Sequence, residues 1–275
     1  MENHRIAFIG AGNMANSLIH GLLAKGLPPG NILACDPDTE KLHALRDECG
    51  IVPSSMEEAA GQADVVVLAV KPQVMGGVCR QLATCLPAAS ASDAVFVSIA
   101  AGIPLRSLEQ WLGAQRAIVR TMPNTPSLVG EGATALIANE TAGQVQRELA
   151  TQLMQAVGIT AWVVQEEDID IITALSGSGP AYYFLMMESM TAAATDLGLN
   201  EETARRFAIQ TALGAGRLAA SGDTPPDELR RRVTSPGGTT EQALQSFSDD
   251  HFASVVKRAM QAARQRSAEL SEQSE

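Results

Sequence analysis

The residues Gly10-Ala11-Gly12-Asn13-Met14-Ala15 have the types and spacing of a phosphate cradle. They follow the apolar run Arg5–Ile9 and open a helical pattern, which is the context this spacing needs before it carries chemistry. Gly10 permits a tight turn, Gly12 lets backbone approach a pyrophosphate, and Ala15 lets helix and strand pack closely. The first N–H groups of the helix then face the phosphates. The chemistry is dinucleotide binding; the bland alternative is a plain glycine turn. Asp36 follows the next strand-like run, where an acid can accept the ribose 2′-hydroxyl of NAD and repel the 2′-phosphate of NADP. A turn aspartate before Pro37 is the competing reading.

Further candidates stand at the ends of later strand-like runs, where ligands of open parallel sheets bind. Ala69-Val70-Lys71-Pro72 offers a lysine for a cofactor or substrate anion, or simply a surface lysine. Ala100-Ala101-Gly102 offers small residues against which a cofactor can lie, and Met122–Pro126 a proline-framed turn beside a nicotinamide or a purely structural loop. In the second half, Ser176-Gly177-Ser178-Gly179 leads into a helix, and Ser235-Pro236-Gly237-Gly238-Thr239-Thr240 forms a second loop of small residues. Both can expose backbone donors and hydroxyls to a small carboxylate. Thr239 with Gln242 also fits a capping box.

Lysine occurs only at 25, 41, 71 and 257, and histidine only at 4, 20, 43 and 251. The second half up to Asp250 therefore offers Tyr182 and Tyr183 but no basic proton shuttle of the kind usual in carbonyl reduction. A substrate that arrives already protonated, such as an imine, relaxes that need.

These residues need elements to hold them. Strand-like Arg5–Ile9, Ile32–Cys35, Asp64–Val70, Ala94–Ile99 and Ala117–Arg120 alternate with helical stretches such as Asn13–Lys25 and Thr39–Cys49. Ala133–Ala138 and Thr160–Val164 are candidate outer strands. Continuous β-branched runs mark strands buried on both faces, so residues 1–165 are read as an α/β domain with a mostly parallel sheet. Residues 166–275 read as all-α, with helices over Ala181–Leu197, Glu201–Ala220, Asp227–Arg232 and Phe252–Leu270 and a solvated tail over Ser271–Glu275. The 181–220 stretch is apolar around much of its circumference, which calls for a partner surface.

The 275 residues are 45% hydrophobic with a net charge of −11. That composition excludes a disordered chain and disfavours a nucleic-acid partner. No run approaches the roughly 20 apolar residues of a membrane span, and the N-terminus does not read as a signal peptide. Cys35, Cys49, Cys79 and Cys85 form no C-x-x-C pair, so reduced thiols in a cytoplasmic protein are expected, and no metal site.

Taken together, Phe8–Ala15, Ala69–Gln73, Ser98–Gly102, Arg120–Pro126, Ser176–Tyr182 and Val233–Thr240 resemble the pyrroline-5-carboxylate reductases over essentially the whole chain. The resemblance implies a Rossmann domain followed by an all-α dimerisation domain. It implies reduction of 1-pyrroline-5-carboxylate to L-proline with NADPH or NADH, the last step of proline biosynthesis. It also implies a homodimer through the helical domain, with decamers as a further assembly. Carried over by position, Ile9, Gly10, Ala11, Gly12, Asn13, Met14, Cys35, Asp36, Met56, Ala69, Val70, Lys71, Pro72, Ala100, Ala101, Gly102, Met122 and Asn124 would meet NADP(H) or NAD(H). Ser176, Gly177, Ser178, Gly179, Ser235, Gly238, Thr239, Thr240, Glu166 and Asp223 would surround the substrate, with Thr240 near its nitrogen as the catalytic group. Cys35 stands where a serine is common and Met56 where an asparagine often meets the adenosine end; both departures lean towards NADH. The rivals are a 3-hydroxyacid dehydrogenase, which would need a lysine absent from the second domain, a reductase of another cyclic imine, and a non-catalytic dinucleotide sensor.

Overall fold

The computed structural model describes residues 1, 3–86, 94–113 and 115–273. Eight strands form one sheet: β1 (Ile6–Ile9), β2 (Ile32–Cys35), β3 (Val52–Pro53), β4 (Val65–Leu68), β5 (Val95–Ser98), β6 (Ala117–Met122), β7 (Gly132–Ala138) and β8 (Gly158–Trp162), in the order β3-β2-β1-β4-β5-β6-β7-β8. All pairings are parallel except β6 with β7, which is antiparallel. Chain order reverses on either side of β1, which has β2 on one flank and β4 on the other.

The alternation of side chains along each strand fills both faces. Ile6 and Phe8 join one core with Leu18, Ile19, Val65 and Val67. Ala7 and Ile9 join the other with Val66, Leu68, Met75 and Leu108. This double burial explains the continuous apolar runs. The covering helices are α1 (Asn13–Ala24), α2 (Thr39–Cys49), α3 (Met56–Gln62), α4 (Pro72–Cys85), α5 (Leu105–Leu112) and α6 (Gln144–Met154). A short α7 (Asp168–Ile172) and a π-helical turn (Thr173–Gly177) follow.

The chain divides into two compact units. The first holds Met1–Gly177 with Ala263–Glu275, and the second Ser178–Ala262. Residues 166–177 group with the sheet because Ile169 is fully buried in its core and Ile172 packs beside it. Within the first unit Ser267 Oγ donates to Asp170 Oδ1 at 2.6 Å, and Leu270 lies over Gly102. Residues 271–273 are therefore helical and not a loose tail; 274 and 275 fall outside the described residues.

The second unit is helical: α8 (Gly179–Asp196), α9 (Glu201–Ala220), α10 (Pro226–Arg232), α11 (Thr239–Asp249) and the start of α12 (Phe252–Gln273). Asn200 caps α9 by accepting from Thr203 N–H at 3.2 Å. In α10, Asp227 and Glu228 stand in the first turn and Arg230, Arg231 and Arg232 in the last, as the helix dipole favours. α8 is apolar all round, yet Gly179 is its only buried residue. Tyr183, Phe184, Leu185, Phe207 and Leu213 are exposed.

Candidate active site

The glycine turn is built by three strand ends. Gly10 N–H donates to Cys35 O at 2.7 Å, and Ala69 N–H donates to Ile9 O at 2.8 Å. Gly10 has φ +102°, and a Cβ there would lie 2.6 Å from Ala69 O, so only glycine fits. At Gly12 the opposite holds: a Cβ would meet nothing within 4 Å. No side chain caps α1. Open space thus lies before the N–H groups of α1, at the point where strand order reverses. That combination fits a dinucleotide pyrophosphate. Asn13 is exposed, and Ala11 and Met14 are half-buried beside it.

Asp36 forms the wall of this turn. Its Oδ2 accepts from Ala11 N–H at 2.8 Å and its Oδ1 from Asp38 N–H at 2.9 Å. One carboxylate therefore braces the cradle and the β2–α2 turn together. Asp38 caps α2, and the backbone N–H of Lys41 holds its carboxyl below the usual range. Burial first, then the Asp36 charge, pushes the Cys35 thiol up. Met56 opens α3, which Ser55 and Glu58 close with a capping box. Lys71 is exposed at the N-cap of α4, with Pro72 in the first turn. Ala69 and Val70 are half-buried against the glycine turn, Ala100 is buried, Ala101 is exposed, and Gly102 adopts φ +72°.

The end of β6 meets the π-helical turn. Asn124, 8% exposed, donates from Nδ2 to Ser176 O at 3.0 Å and accepts at Oδ1 from Ala133 N–H at 2.9 Å. Both ends of the amide are committed within the protein. A Cβ on Gly177 would lie 2.7 Å from Met122 Cε, so the structure brings these two residues together. Ser176 Oγ donates to Ile172 O at 3.2 Å. Glu166 Oε1 accepts from Arg120 Nη1 at 2.7 Å and from Leu105 N–H at 2.8 Å. The motif spacing gives Arg120 no role; a lone arginine in an apolar strand is the signal that it needs a buried partner.

In the second unit, Ser178 is the N-cap of α8 and Gly179 its first residue. The 233–238 loop turns at Gly237, φ +71°. Gly238 N–H donates to Ser235 O at 3.0 Å, and Gly237 N–H to Glu241 Oε2 at 2.8 Å. The expected Thr239–Gln242 capping box is not formed. Gly238 is the N-cap, so Thr239 is already helical, and Glu241 rather than Gln242 reaches back to the loop. Thr240 is half-buried on the first turn of α11; Ser235 and Thr239 are exposed. Asp223 is exposed in the link between α9 and α10, apart from the 233–240 loop in sequence.

Residues 166–270 match the family model for pyrroline-5-carboxylate reductase dimerisation, and residues 5–102 that for NADP oxidoreductase, coenzyme F420-dependent. The pyrroline-5-carboxylate reductase of Pseudomonas aeruginosa is 54% identical over 274 residues, 99% of each chain. The chain belongs to the pyrroline-5-carboxylate reductase family. A structure of the Coxiella burnetii reductase superposes with a TM-score of 0.93 at 44% identity, covering 98% of both chains. The Plasmodium falciparum pyrroline carboxylate reductase, solved with NADP bound, gives 0.84 at 31% identity over 98% of this chain and 99% of that one. This chain is an NAD(P)H-dependent oxidoreductase of that family. Its helical part matches a dimerisation domain, which makes it an oligomer, and among the described residues no helix is long and apolar enough to cross a membrane.

Proposed function

We propose that this protein reduces 1-pyrroline-5-carboxylate to L-proline, the last step of proline biosynthesis. The observation that carries the reading is the full-length identity to the Pseudomonas aeruginosa reductase. Ile9–Met14, Ala69–Pro72 and Ala100–Gly102 hold the dinucleotide, with Asp36, Cys35 and Met56 at its adenosine end and Met122 towards its nicotinamide. When bound, NADPH or NADH supplies the hydride. Backbone N–H groups of the 176–179 loop and, in the 237–240 loop, of Thr239 and Thr240 bind the substrate carboxylate, because Gly237 and Gly238 N–H are taken by Glu241 Oε2 and Ser235 O; Thr240 Oγ1 hydrogen-bonds the ring nitrogen. The nitrogen arrives protonated, so the carbon beside it is already electrophilic and no lysine or histidine is needed to deliver a proton. Positioning and charge complementarity then account for most of the rate. Glu166 acts at a remove from the substrate, through Arg120 and Leu105.

The assembly is a homodimer through the helical domain, a unit from which a decamer can be built. The exposed apolar surface of α8 and α9 supports that, because such helices need covering. Light scattering at the monomer mass of 28.9 kDa would overturn it. The net charge of −11 argues against a nucleic-acid partner, and four cysteines without a C-x-x-C pair support a cytoplasmic enzyme.

The test is spectrophotometric. Protein mixed with fresh pyrroline-5-carboxylate and either NADPH or NADH consumes reduced nicotinamide and releases proline. No consumption by folded, cofactor-bound protein would refute the assignment.

A further inference from the structure

Away from the dinucleotide cradle, one cluster in the first unit gathers three different kinds of donor. His20 lies on α1; Glu48 and Cys49 end α2. Cys49 Sγ stands 3.6 Å from His20 Nε2 and 3.9 Å from Nδ1, so the sulfur lies beside the ring, and Nε2 stands 3.5 Å from Glu48 Oε1. The ligand atoms all lie within 4.8 Å of one another, and no other group of three or more His, Cys, Asp or Glu side chains does so among the described residues.

These separations have a direct geometric meaning. Zinc bonds of about 2.3 Å to sulfur and about 2.0–2.2 Å to nitrogen and oxygen, at tetrahedral angles, place S and N about 3.6 Å apart and N and O about 3.4 Å apart. The observed edges have these lengths, and ligation through Nε2 requires the His20 ring, 46% exposed, to turn its lone pair towards the sulfur. The third edge closes by a rotation of Glu48, whose side chain is 62% exposed and free to move. The two helices need no adjustment, because Leu18, Ile19 and Leu45 fix them in the core beside the sheet.

We propose that His20, Glu48 and Cys49 form a site for one divalent cation of the zinc class, which clamps α1 to α2. Sulfur, imidazole and carboxylate form a donor set that suits zinc, and an alkaline-earth ion would reject the sulfur. Ligation forms the Sγ–metal bond and breaks Sγ–H; the proton leaves to solvent, and no electron is transferred. Burial, with the Glu48 charge second, holds the free thiol above its ordinary range, and the charge of the ion reverses that balance. A fourth position stays open to water. His20 lies seven residues along α1 from Asn13, about 10 Å at 1.5 Å per residue. The ion therefore stabilises the unit that bears the cradle without entering it.

The full-length protein, stripped with a chelator and desalted, is titrated with Co²⁺. A thiolate-to-cobalt charge-transfer band should grow to saturation at one equivalent per chain and disappear when Zn²⁺ is added. Cys49→Ser should abolish the band, His20→Gln should weaken Co²⁺ binding at least tenfold, and Cys85→Ser should leave it intact. Zn²⁺ should raise Tm by several degrees in the parent protein and not in His20→Gln. Basal reductase turnover of His20→Gln should equal that of the parent. No charge-transfer band, or one that survives in Cys49→Ser, would overturn the site. If Cys49→Ser does not fold, an unchanged Co²⁺ affinity in the exposed-site variant His20→Gln overturns it equally.

Discussion

Arg120 Nη1 and Glu166 Oε1 lie 2.7 Å apart, the arginine side chain 4% exposed on β6 and the glutamate 30% exposed ahead of α7. The same carboxylate oxygen accepts Leu105 N–H. Removing the glutamate strands a buried guanidinium and a backbone donor. Glu166→Ala should cost about 3 kcal/mol, the low end for breaking a buried pair because Glu166 is partly wet. Glu166→Gln keeps an acceptor and should cost about half as much. Urea unfolding measures both. In folded Glu166→Gln the KM for pyrroline-5-carboxylate should stay within about twofold; a tenfold rise, equal to about 1.4 kcal/mol, would instead place the carboxylate on the substrate.

Asp36 joins two functions in one carboxylate. It braces Ala11 N–H and brings negative charge to the end of β2. Asp36→Ser should raise the NADPH/NADH ratio of kcat/KM roughly tenfold, by removing repulsion from a 2′-phosphate. It should also raise KM for both cofactors about two- to threefold, because the Ala11 hydrogen bond is lost. Steady-state kinetics with each cofactor separates these effects. An unmoved ratio would leave Asp36 with the turn alone.

The inner strands were legible because burial on both faces writes continuous β-branched runs, whereas β3, two residues long at the sheet edge with Val52 exposed, was not. α4 was not legible as a helix. Gly76 and Gly77 argue against one locally, and the space at Gly76 is set by packing: a Cβ there would lie 3.2 Å from the Trp111 ring. The cradle could be read from spacing because its chemistry is backbone chemistry within one short segment. The Asn124–Ser176, Arg120–Glu166 and His20–Cys49 relationships could not, since each joins residues distant in sequence through one side-chain geometry. Asp36 shows the same limit, since its type and place were visible and its bond to Ala11 was not.

The proposed role of Asn124 is that of a positioning residue. Its amide spans from Ala133 to Ser176 and so ties β7 to the π-helical turn that carries Ser176 and Gly177. Asn124→Ala leaves a buried donor and a buried acceptor unpaired and should cost about 2–3 kcal/mol. Turnover should fall more than cofactor affinity changes. Asn124→Asp retains the bond from Ala133 N–H and should recover part of the stability but not the hold on Ser176. Thermal unfolding paired with NADPH fluorescence titration tests this, and a large loss of cofactor affinity in Asn124→Ala would put the side chain on the dinucleotide instead.

Thr240 stands in the first turn of α11, where Gly238 leaves the cap without a side chain, and its proposed role is to offer its hydroxyl to the ring nitrogen. Thr240→Ala should lower kcat by about ten- to a hundredfold, the range for losing one hydrogen bond to a charged group. Cofactor Kd should not move. Thr240→Ser keeps the hydroxyl and should stay within a few-fold of the parent. Turnover in Thr240→Ala equal to the parent would remove the residue from the reaction.

Cys79 predicts how the fold fails in alkali. Its side chain is fully buried on α4, and burial pushes its thiol from an ordinary value of 9.0 up to about 12. The unfolded chain therefore sheds this proton near pH 9, while the folded chain keeps it. Above pH 9 the folded state binds more protons than the unfolded state, so stability must fall as pH rises. The contribution is fully present below pH 9. It declines towards pH 12 by an amount on the order of 4 kcal/mol, at about 1.36 kcal/mol per pH unit. Cys79→Ala should flatten that part of the pH–stability curve while lowering stability at neutral pH by about 1 kcal/mol for the lost sulfur packing. Urea unfolding from pH 7 to pH 11 checks both. An identical alkaline slope in parent and variant would show that another group controls the loss.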